Sequence, residues 1–407
     1  MHILIIPSWY RSSKADTQGS FFREQAFALA KRGYQIGIIH PQHRSMRQWR
    51  STFSGQYGFD LEIDKENNEM GDVFSIPTLR MHTMAWFPRQ IPYLNYWLWV
   101  RNGLKLYRHY VKRFGTPDAI HAHTMVYGGL LAWNIQRRHG IPFAITEHGT
   151  AYARNLFAPW ELKLASQAAA DADARLAVSE TFCQELNGFI GSQWTPCANV
   201  VPTSFTDCAL PQTEKEPFIF TAVAYLSPRK GIHHLISAFA KAFKTDQTAV
   251  LRIGGDGKIK AELAALAQQL GIAEQVVFLG ALDRAGVRSL VAKTDVFVLA
   301  SQYEPFGVVV IEALALGKPV IATRCGGPNQ VVREQDGLLV EPENVEAMAA
   351  ALRYMKTNSS RYDAQEIRQS CIERYGEDAL VKRLAPIYRR ISTQTQQAIA
   401  QEPAQYA

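Results

Sequence analysis

The sequence of 407 residues predicts an α/β protein built from two doubly wound domains. Three observations predict it. Short apolar runs of strand length alternate with stretches of helical periodicity, the pattern of βα units around parallel sheets. The alternation breaks once, at 203–217, where Thr203-Ser204-Phe205-Thr206-Asp207 is turn chemistry and Pro211 to Pro217 is polar and proline-bounded; it then restarts. The length suits two domains, and a hydrophobic fraction of 47% fills two cores.

In the first half the strand candidates are 2–6, 34–39, 73–78, 118–122, 142–146 and 174–178. Residues 20–32 read as a helix with Phe22, Ala26, Leu29 and Ala30 on one face and Gly33 as its C-cap. Ser179 is the expected N-cap of a later helix that turns Phe182 and Leu186 inward. Beyond the break the strands are 218–224, 248–254, 275–280, 295–300 and 319–323, then a small one at 337–340. The domains are therefore placed at 1–205 and 206–375, with a final helix at about 376–394 and a frayed polar tail at 395–407. Ligands of such sheets sit at the carboxyl ends of the strands, here in the cleft expected between the domains.

Composition narrows the class. No apolar run is long enough for a transmembrane helix. The start, Met1 to Pro7, reads as a buried strand and not as a secretory signal. Cys183, Cys197, Cys208, Cys325 and Cys371 are scattered without pattern, which fits reduced thiols in a cytoplasmic protein. From Arg80 to Arg113 there is no Asp or Glu, but there are seven basic residues, equal to the whole net charge of +7. Arg101, Lys105, Arg108 and Lys112 fall on one helical stripe; Val100, Leu104, Tyr107, Val111 and Phe114 form an apolar stripe beside it. Trp86, Phe87, Tyr93, Tyr96, Trp97 and Trp99 precede or open that helix. Segment 80–114 is therefore expected to dock on an anionic membrane, on the inner face of the cell. Its alternative is packing of the apolar stripe on the first domain. Nothing else reads as a nucleic-acid module, so nucleic acid is not expected as a partner.

The strongest chemical segment runs from Glu304 to Glu312. Pro305 and Gly307 favour a turn, a helix follows from about Val308 to Leu316, and Gly317 closes it. The amides of Phe306, Gly307 and Val308 would open that helix as an anion site, with a carboxylate on either side. Upstream, Arg229 and Lys230 lie in a turn after a strand and before a helix that begins near Gly231. Lysine suits phosphate oxygens as a point charge. Gly254-Gly255-Asp256-Gly257 is a tight strand-to-helix turn that lacks the dinucleotide spacing, and Gly326-Gly327-Pro328 is a similar turn into a helix. In the first domain, Gly19 and Ser20 open a helix in the run Asp16 to Glu24, and glycine there lets a ligand approach the backbone. Two strands end in His121-Ala-His123 and Glu147-His148, which read as sugar or phosphate contacts, with a metal as a minor alternative.

These segments, in this order and spacing, resemble family 4 of the retaining glycosyltransferases, whose GT-B fold places two Rossmann-like domains around a cleft. The resemblance is strongest from Phe220 to Leu352 and weakest from Pro41 to Gly115. It implies that Glu304 contacts the donor sugar hydroxyls and Glu312 the ribose, that Phe306, Gly307 and Val308 give backbone contacts, and that Lys230 holds phosphate. It places Gly19 near the donor phosphate, His123 near the reacting sugar, and the stretch Val277 to Leu282 around the base. The terminal helix is implied to return to the first domain. Arg229, Arg252 and Gly255 complete the expected donor set, and Ser20, His121, Glu147 and His148 the acceptor set. The chain departs from the family pattern at Tyr225, where an arginine is usual, and at Thr203; Arg229 or Arg252 would substitute for that arginine. Asp171-Ala-Asp173 matches a metal motif of a different glycosyltransferase fold and is expected here to be structural.

The implied activity is transfer of a sugar, with retained anomeric configuration, from a nucleotide-diphosphate donor to a hydroxyl of a glycan or lipid-linked acceptor in cell-envelope polysaccharide synthesis. A UDP-sugar is preferred to a GDP-sugar, and neither metal nor cofactor is expected. A nucleotide-sugar epimerase or a non-catalytic nucleotide-sugar-binding subunit are the alternatives.

Overall fold

A computed structural model describes residues 1–11, 19–44, 58–67, 73–84, 92–149, 151, 152, 154, 156–207, 209, 210 and 217–401. Its strands are β1 (His2–Pro7), β2 (Gln35–Arg44), β3 (Gly58–Asn67), β4 (Val73–Met84), β5 (Ala119–His123), β6 (Phe143–Glu147), β7 (Ala174–Ala177), β8 (Thr195–Pro196), β9 (Phe218–Val223), β10 (Ala249–Gly254), β11 (Val276–Gly280), β12 (Val296–Leu299), β13 (Val320–Thr323) and β14 (Gly337–Val340). The helices are α1 (Ser20–Ala30), α2 (Pro92–Phe114), α3 (Leu130–His139), α4 (Pro159–Asp171), α5 (Glu180–Ile190), α6 (Thr203–Thr206), α7 (Ile232–Phe243), α8 (Lys260–Leu270), α9 (Arg284–Ala292), α10 (Val308–Ala315), α11 (Pro328–Val331), α12 (Val345–Asn358), α13 (Ala364–Tyr375) and α14 (Glu377–Gln401).

The chain divides into two compact units. The first comprises Met1–Val178, Cys183–Cys197 and Leu380–Ala407; the second comprises Ser179–Phe182 and Ala198–Ala379.

The first unit holds an eight-stranded sheet in the order β3-β4-β2-β1-β5-β6-β7-β8. Its parallel part reverses strand order between β1 and β5, which pair directly. That reversal is the point where doubly wound sheets open a crevice at their carboxyl ends. The core rests on fully buried Ile3, Leu4 and Ile5 of β1, Phe22 and Leu29 of α1, and Tyr110 of α2. Gly37 of β2 makes room for Tyr110, since a Cβ there would lie 1.9 Å from the phenol oxygen.

Two features of this unit differ from the sequence expectation. The sheet is not wholly parallel, because β3 pairs antiparallel with β4. Asp60, Glu62 and Asp64 alternate with Phe59, Leu61 and Ile63 along β3, a polar and acid-rich period-two strand. Its carboxylates are met by cations from elsewhere: Arg11 pairs with Glu62 and Asp64, and Arg80 with Glu62 at 2.6 Å. Second, the apolar stripe of α2 is not free. Val100 and Tyr107 are buried, Leu104, Val111 and Phe114 are half-buried, and Gly103 packs against Leu131. α2 leaves exposed Tyr93, Trp97, Arg101, Arg108 and Lys112 along one stripe, with Lys105 half-buried, and His109 and Arg113 beside it. Trp86, Phe87 and Arg89 lie outside the described residues.

The second unit is a six-stranded parallel sheet, β11-β10-β9-β12-β13-β14. Strand order reverses between β9 and β12, as it does between β1 and β5. Its core includes Phe220, Phe239, Ile253, Val298 and Leu352. The interdomain segment contains a short helix, α6, where a plain turn was expected; Pro202 precedes it and Thr206 closes it by donating to the Thr203 carbonyl at 3.2 Å. Pro211 to Glu216 lie outside the described residues.

Ser179 caps α5 as expected, accepting from the Phe182 amide at 3.2 Å. Gly33 sits two residues beyond the observed C-cap of α1, Lys31, and is left-handed, with φ +84. The expected terminal helix is α14, which runs from Glu377 to Gln401, past the frayed boundary expected at 395, with Pro386 inside it; α13, ending at Tyr375, precedes it. Residues of α14 from Leu380 onward belong to the first unit.

Candidate active site

In the second unit the chemistry gathers at the reversal of strand order, where the loops after β9 and β12 meet. The turn after β9 carries Arg229 and Lys230 and ends at Gly231, which caps α7 with φ +64. Only glycine fits there, because a Cβ would lie 1.9 Å from the Ala300 carbonyl oxygen. The Gln302 amide donates to the Arg229 carbonyl at 2.9 Å, fixing this turn to the end of β12.

The loop after β12 is laced to the one after β13. The Glu304 amide donates to the Cys325 carbonyl and the Gly327 amide to the Glu304 carbonyl, both at 2.8 Å. A Cβ on Gly327 would meet Phe306 Cα at 2.3 Å. Ser179 Oγ donates to the Pro305 carbonyl at 2.6 Å. Gly307, at φ +93, is the N-cap of α10, and no side chain caps that end. The Val310 amide donates to the Gly307 carbonyl at 2.9 Å, and the amides of Val308 and Val309 lie at the positive end of the helix dipole with no side-chain cap.

Lys230 Nζ pairs with Glu304 Oε1, which also accepts from Ser301 Oγ at 2.8 Å. Eight positions on, Glu312 is buried inside α10 and paired with Arg284 of α9. Burial pushes the Glu312 carboxyl up and Arg284 pulls it back. Arg284 also lies over the Phe205 ring, 5.4 Å from its centroid. Two carboxylates, each held by a cation, thus flank the open end of a helix. This arrangement can take hydroxyl donors on the carboxylates and an anion on the lysine and the amides.

The remaining donor candidates are less directly placed. Gly255 has φ +127, and its Cβ would lie 1.8 Å from the Ala224 carbonyl oxygen, so close backbone packing requires glycine there. Arg252 is half-buried inside β10, and no described hydrogen bond joins it to Lys230, Glu304 or Glu312. Arg229 contributes its carbonyl. Leu282 is half-buried beside Gly254. Tyr225, in the position of the expected arginine, is 60% exposed at the end of β9.

In the first unit the same position of the sheet holds imidazoles. His123 ends β5, fully buried, its ring between Phe22 (centroids 4.5 Å) and His121 (4.5 Å, nearly parallel at 25°). Its Nδ1 is 3.0 Å from His148 Nε2, and its Nε2 is buried with no partner. Burial holds His123 well below the usual histidine range, helped by its two histidine neighbours. The next residue, Thr124, has φ +67, and Tyr127 has φ +71, both uncommon for non-glycine residues. Ser8 holds this bend: its one hydroxyl hydrogen is shared between the Val126 carbonyl at 2.6 Å and the His123 carbonyl at 2.9 Å, and its oxygen accepts from the Gly128 amide at 2.8 Å. Gly19 is the N-cap of α1 at φ +71, packed against Phe22 and Trp9, with Ser20 next to it. Asp16 to Gln18 lie outside the described residues.

Two acceptor assignments are corrected. His121 is fully buried with both ring nitrogens engaged: Nε2 with Thr146 Oγ1 at 2.7 Å, and Nδ1 with Tyr388 Oη at 2.6 Å and Gln25 Nε2 at 3.1 Å. Glu147 is also enclosed, accepting from the amides of Met125, His148 and Gly149 at 2.8–2.9 Å. Burial lifts its carboxyl to about 7 against the pull of those amides. Both are framework for the loops that carry His123 and His148. Among the described residues no three His, Cys, Asp or Glu side chains are grouped to hold a metal. Asp171 and Asp173 have structural partners: Trp133 Nε1 donates to Asp171 at 2.6 Å, and the Phe143 amide to Asp173 at 2.9 Å. Sequence reasoning missed Ser301, Arg284, Ser8 and Tyr388. A serine three positions before Glu304 at a strand end was a usable signal for the first; Tyr388 lies 267 positions from its partner His121, and no local pattern announces it.

Two family models match the chain. Residues 18–202 match the family model described as Glycosyltransferase Family 4, and residues 209–375 match Glycosyl transferases group 1. A region of 181 residues is 32% identical to an uncharacterized glycosyltransferase of Methanocaldococcus jannaschii, covering 44% of this chain and 46% of that protein. The chain thus spans about half the length of that relative. Over 390 residues it is 28% identical to the Bacillus subtilis protein TuaC, named for teichuronic acid biosynthesis, covering 90% of each. In fold it is similar to Anabaena HepE solved in complex with UDP, with a TM-score of 0.70 at 17% identity, covering 96% of this chain and all of that one.

Proposed function

Because the chain belongs to the family 4 glycosyltransferases of the GT-B fold, we propose that it transfers a sugar, with retention, from a nucleotide-diphosphate donor to a hydroxyl of a glycan or lipid-linked acceptor of the cell envelope. The observation that carries this reading is the pair of cation-held glutamates beside the uncapped end of α10. Glu304 takes the donor sugar hydroxyls and Glu312 the ribose. Lys230, the α10 amides and Arg229 stabilise the departing diphosphate. The acceptor oxygen bonds to the anomeric carbon on the face the diphosphate leaves. Its proton passes to a phosphate oxygen as the carbon–oxygen bond breaks. The protein's main task is electrostatic, so no protein nucleophile, metal or cofactor enters. His123 offers its unpartnered Nε2 to the sugar, with Gly19 beside the phosphate and Ser20 and His148 on the acceptor side. A UDP-sugar is favoured, in keeping with the UDP bound by HepE; TuaC supports an envelope glycan as product.

A panel of UDP-, GDP- and ADP-sugars scored by melting temperature tests the donor class, since a bound donor raises Tm by mass action. A UDP-sugar is expected to give the largest rise. Transfer followed by NMR in EDTA should then yield the donor's own anomer. No stabilisation by any nucleotide sugar, or an inverted product, contradicts the reading; release of free sugar without an acceptor would favour the epimerase.

We also propose that the exposed stripe of α2 holds the enzyme at an anionic membrane face. The stripe has no acidic residue, its aromatic start exposes Tyr93 and Trp97 by 52% and 54%, and Arg101 lies over the Trp97 ring. With the apolar stripe packed inward, contact rests on cations and two interfacial rings. Vesicles of phosphatidylcholine with phosphatidylglycerol should bind the protein in low salt. Phosphatidylcholine alone should not. Changing Arg101, Lys105, Arg108 and Lys112 to Gln should abolish binding at unchanged Tm. Equal binding to both vesicles contradicts docking by charge.

A further inference from the structure

The imidazole assigned to the reacting sugar does not hold its own orientation. His123 keeps one nitrogen for His148 and presents the other without a partner, so its plane is set by the rings on either side of it. One of those rings, Phe22, makes no hydrogen bond and is held by packing alone, against Trp9, Phe21 and His148. The other, His121, is tied at both nitrogens.

The tie has a direction. Two groups face His121 Nδ1, the Tyr388 hydroxyl at 2.6 Å and the Gln25 amide nitrogen, a donor, at 3.1 Å; with a donor facing it Nδ1 is the acceptor of the ring, and its single lone pair goes to the nearer hydroxyl, which Gln25 also bonds. The Tyr388 hydroxyl, 2.6 Å from the same Nδ1, therefore donates to it. The proton of the neutral ring is then on Nε2 and is donated to Thr146 Oγ1 at 2.7 Å. Burial lowers His121 to about 3, which keeps the ring neutral in this arrangement. Tyr388 is itself fully buried, one turn of α14 beyond Leu384, with the Tyr34 ring 6.0 Å away. No sequence-local feature joins β5 to α14.

We propose that Tyr388 is a positioning residue for His123: its hydroxyl fixes the tautomer and tilt of His121, and the stacked His121 ring fixes the plane in which His123 presents Nε2. The terminal helix thereby contributes to the site without touching substrate. This inference rests on the role given to His123 only for its kinetic consequence; its structural content stands apart.

The test uses the full chain with histidine imidazoles labelled by nitrogen-15. In the unaltered protein, His121 should show one tautomer, protonated at Nε2. Tyr388→Phe keeps the ring and removes the hydroxyl, so His121 should become a mixture of tautomers and the His123 signals should move with it. Thr146→Val removes the other tie, and the same His123 signals should move, which guards against one variant folding poorly. With UDP-glucose as probe donor, Tyr388→Phe should lower kcat about tenfold, as expected for a displaced group, and leave the donor KM near its original value. If His123 signals stay fixed in both variants while His121 changes, the positioning role is overturned. If His121 keeps a single tautomer in Tyr388→Phe, the hydrogen-bond assignment is overturned. If His123→Ala retains turnover, the role of His123 has failed and the positional coupling, read by NMR, is judged on its own.

Discussion

The two units place their chemistry at the same point of the same strand order, yet they build it from opposite electrostatics. The second unit uses ionisable groups in oppositely charged pairs: Lys230 with Glu304 at the strand ends, and Arg284 with the buried Glu312 of α10. The first unit uses neutral rings inside the sheet: His121 and His123 are fully buried and held uncharged. On the proposed function, the difference follows from the partners each would meet. A diphosphate needs charge that is already aimed, whereas a sugar hydroxyl needs an oriented donor or acceptor with no net field to overcome.

The largest effect is expected at Glu304. Glu304→Gln keeps the shape and removes the charge, so transfer should fall by about two orders of magnitude or more with normal folding. Near-native turnover would remove Glu304 from the mechanism. Lys230→Ala should raise the barrier by about 2–4 kcal/mol. Because the two side chains are paired, the double variant should lose much less than the sum of the single losses; additive losses would mean they act separately.

The next effect is on stability and separates the units by pH. His40 and His121 are lowered to about 3, and His43 to about 4, all led by burial, and His123 is well below the ordinary value. A histidine whose folded pKa is depressed binds fewer protons than the unfolded chain between the two values. Its stabilisation is whole above about 6.5 and is lost as pH falls toward the folded value. Burial of these four rings therefore works against the first unit in acid, each ring in the same direction. Glu147 acts with the opposite sign, since its raised carboxyl favours the fold at low pH and opposes it as pH rises through about 7, and Asp173 is raised as well; His2 is lowered with the other rings, so two carboxyls stand against five histidines. All eight tryptophans precede Ala198 and belong to the first unit, so their fluorescence reports that unit alone. Tryptophan emission should move to the red between pH 6.5 and 4 while much of the helical circular dichroism persists. A single coincident transition for both signals would deny the difference.

The smallest effect is expected at Asp171. Asp171→Asn should leave turnover unchanged with EDTA present or absent. It should weaken the Trp133 bond by about 0.5–1.5 kcal/mol, seen as a small fall in Tm. A large loss of turnover would give that aspartate a role beyond structure.

The same contrast decided what could be read from the sequence. The second unit was legible nearly strand for strand, because continuous apolar runs between glycine turns mark buried parallel strands. Glu304, Lys230 and Gly307 were legible because they sit at strand ends and helix starts, where spacing carries geometry. In the first unit, β3 was missed: its core-facing positions are Asp60, Glu62 and Asp64, acceptable only because Arg11 and Arg80 arrive from other elements. His121 and Glu147 looked like ligands for the same reason. Polar residues at strand ends suggest a site, and only the fold reveals that Tyr388, Thr146 and three backbone amides already satisfy them. The α2 stripe was correctly periodic, but periodicity alone could not tell whether its apolar side faced lipid or Gly37 and Leu131.

Every role above depends on one assignment: the nucleotide diphosphate is held by the charged site of the second unit. Calorimetric titration of UDP into the unaltered protein, Lys230→Ala, Glu312→Gln and His123→Ala decides it. Affinity is expected to fall about tenfold or more in the first two variants, in line with loss of a charge-assisted contact, and to stay nearly unchanged in His123→Ala. Unchanged affinity in Lys230→Ala and Glu312→Gln, or a loss confined to His123→Ala, would contradict it.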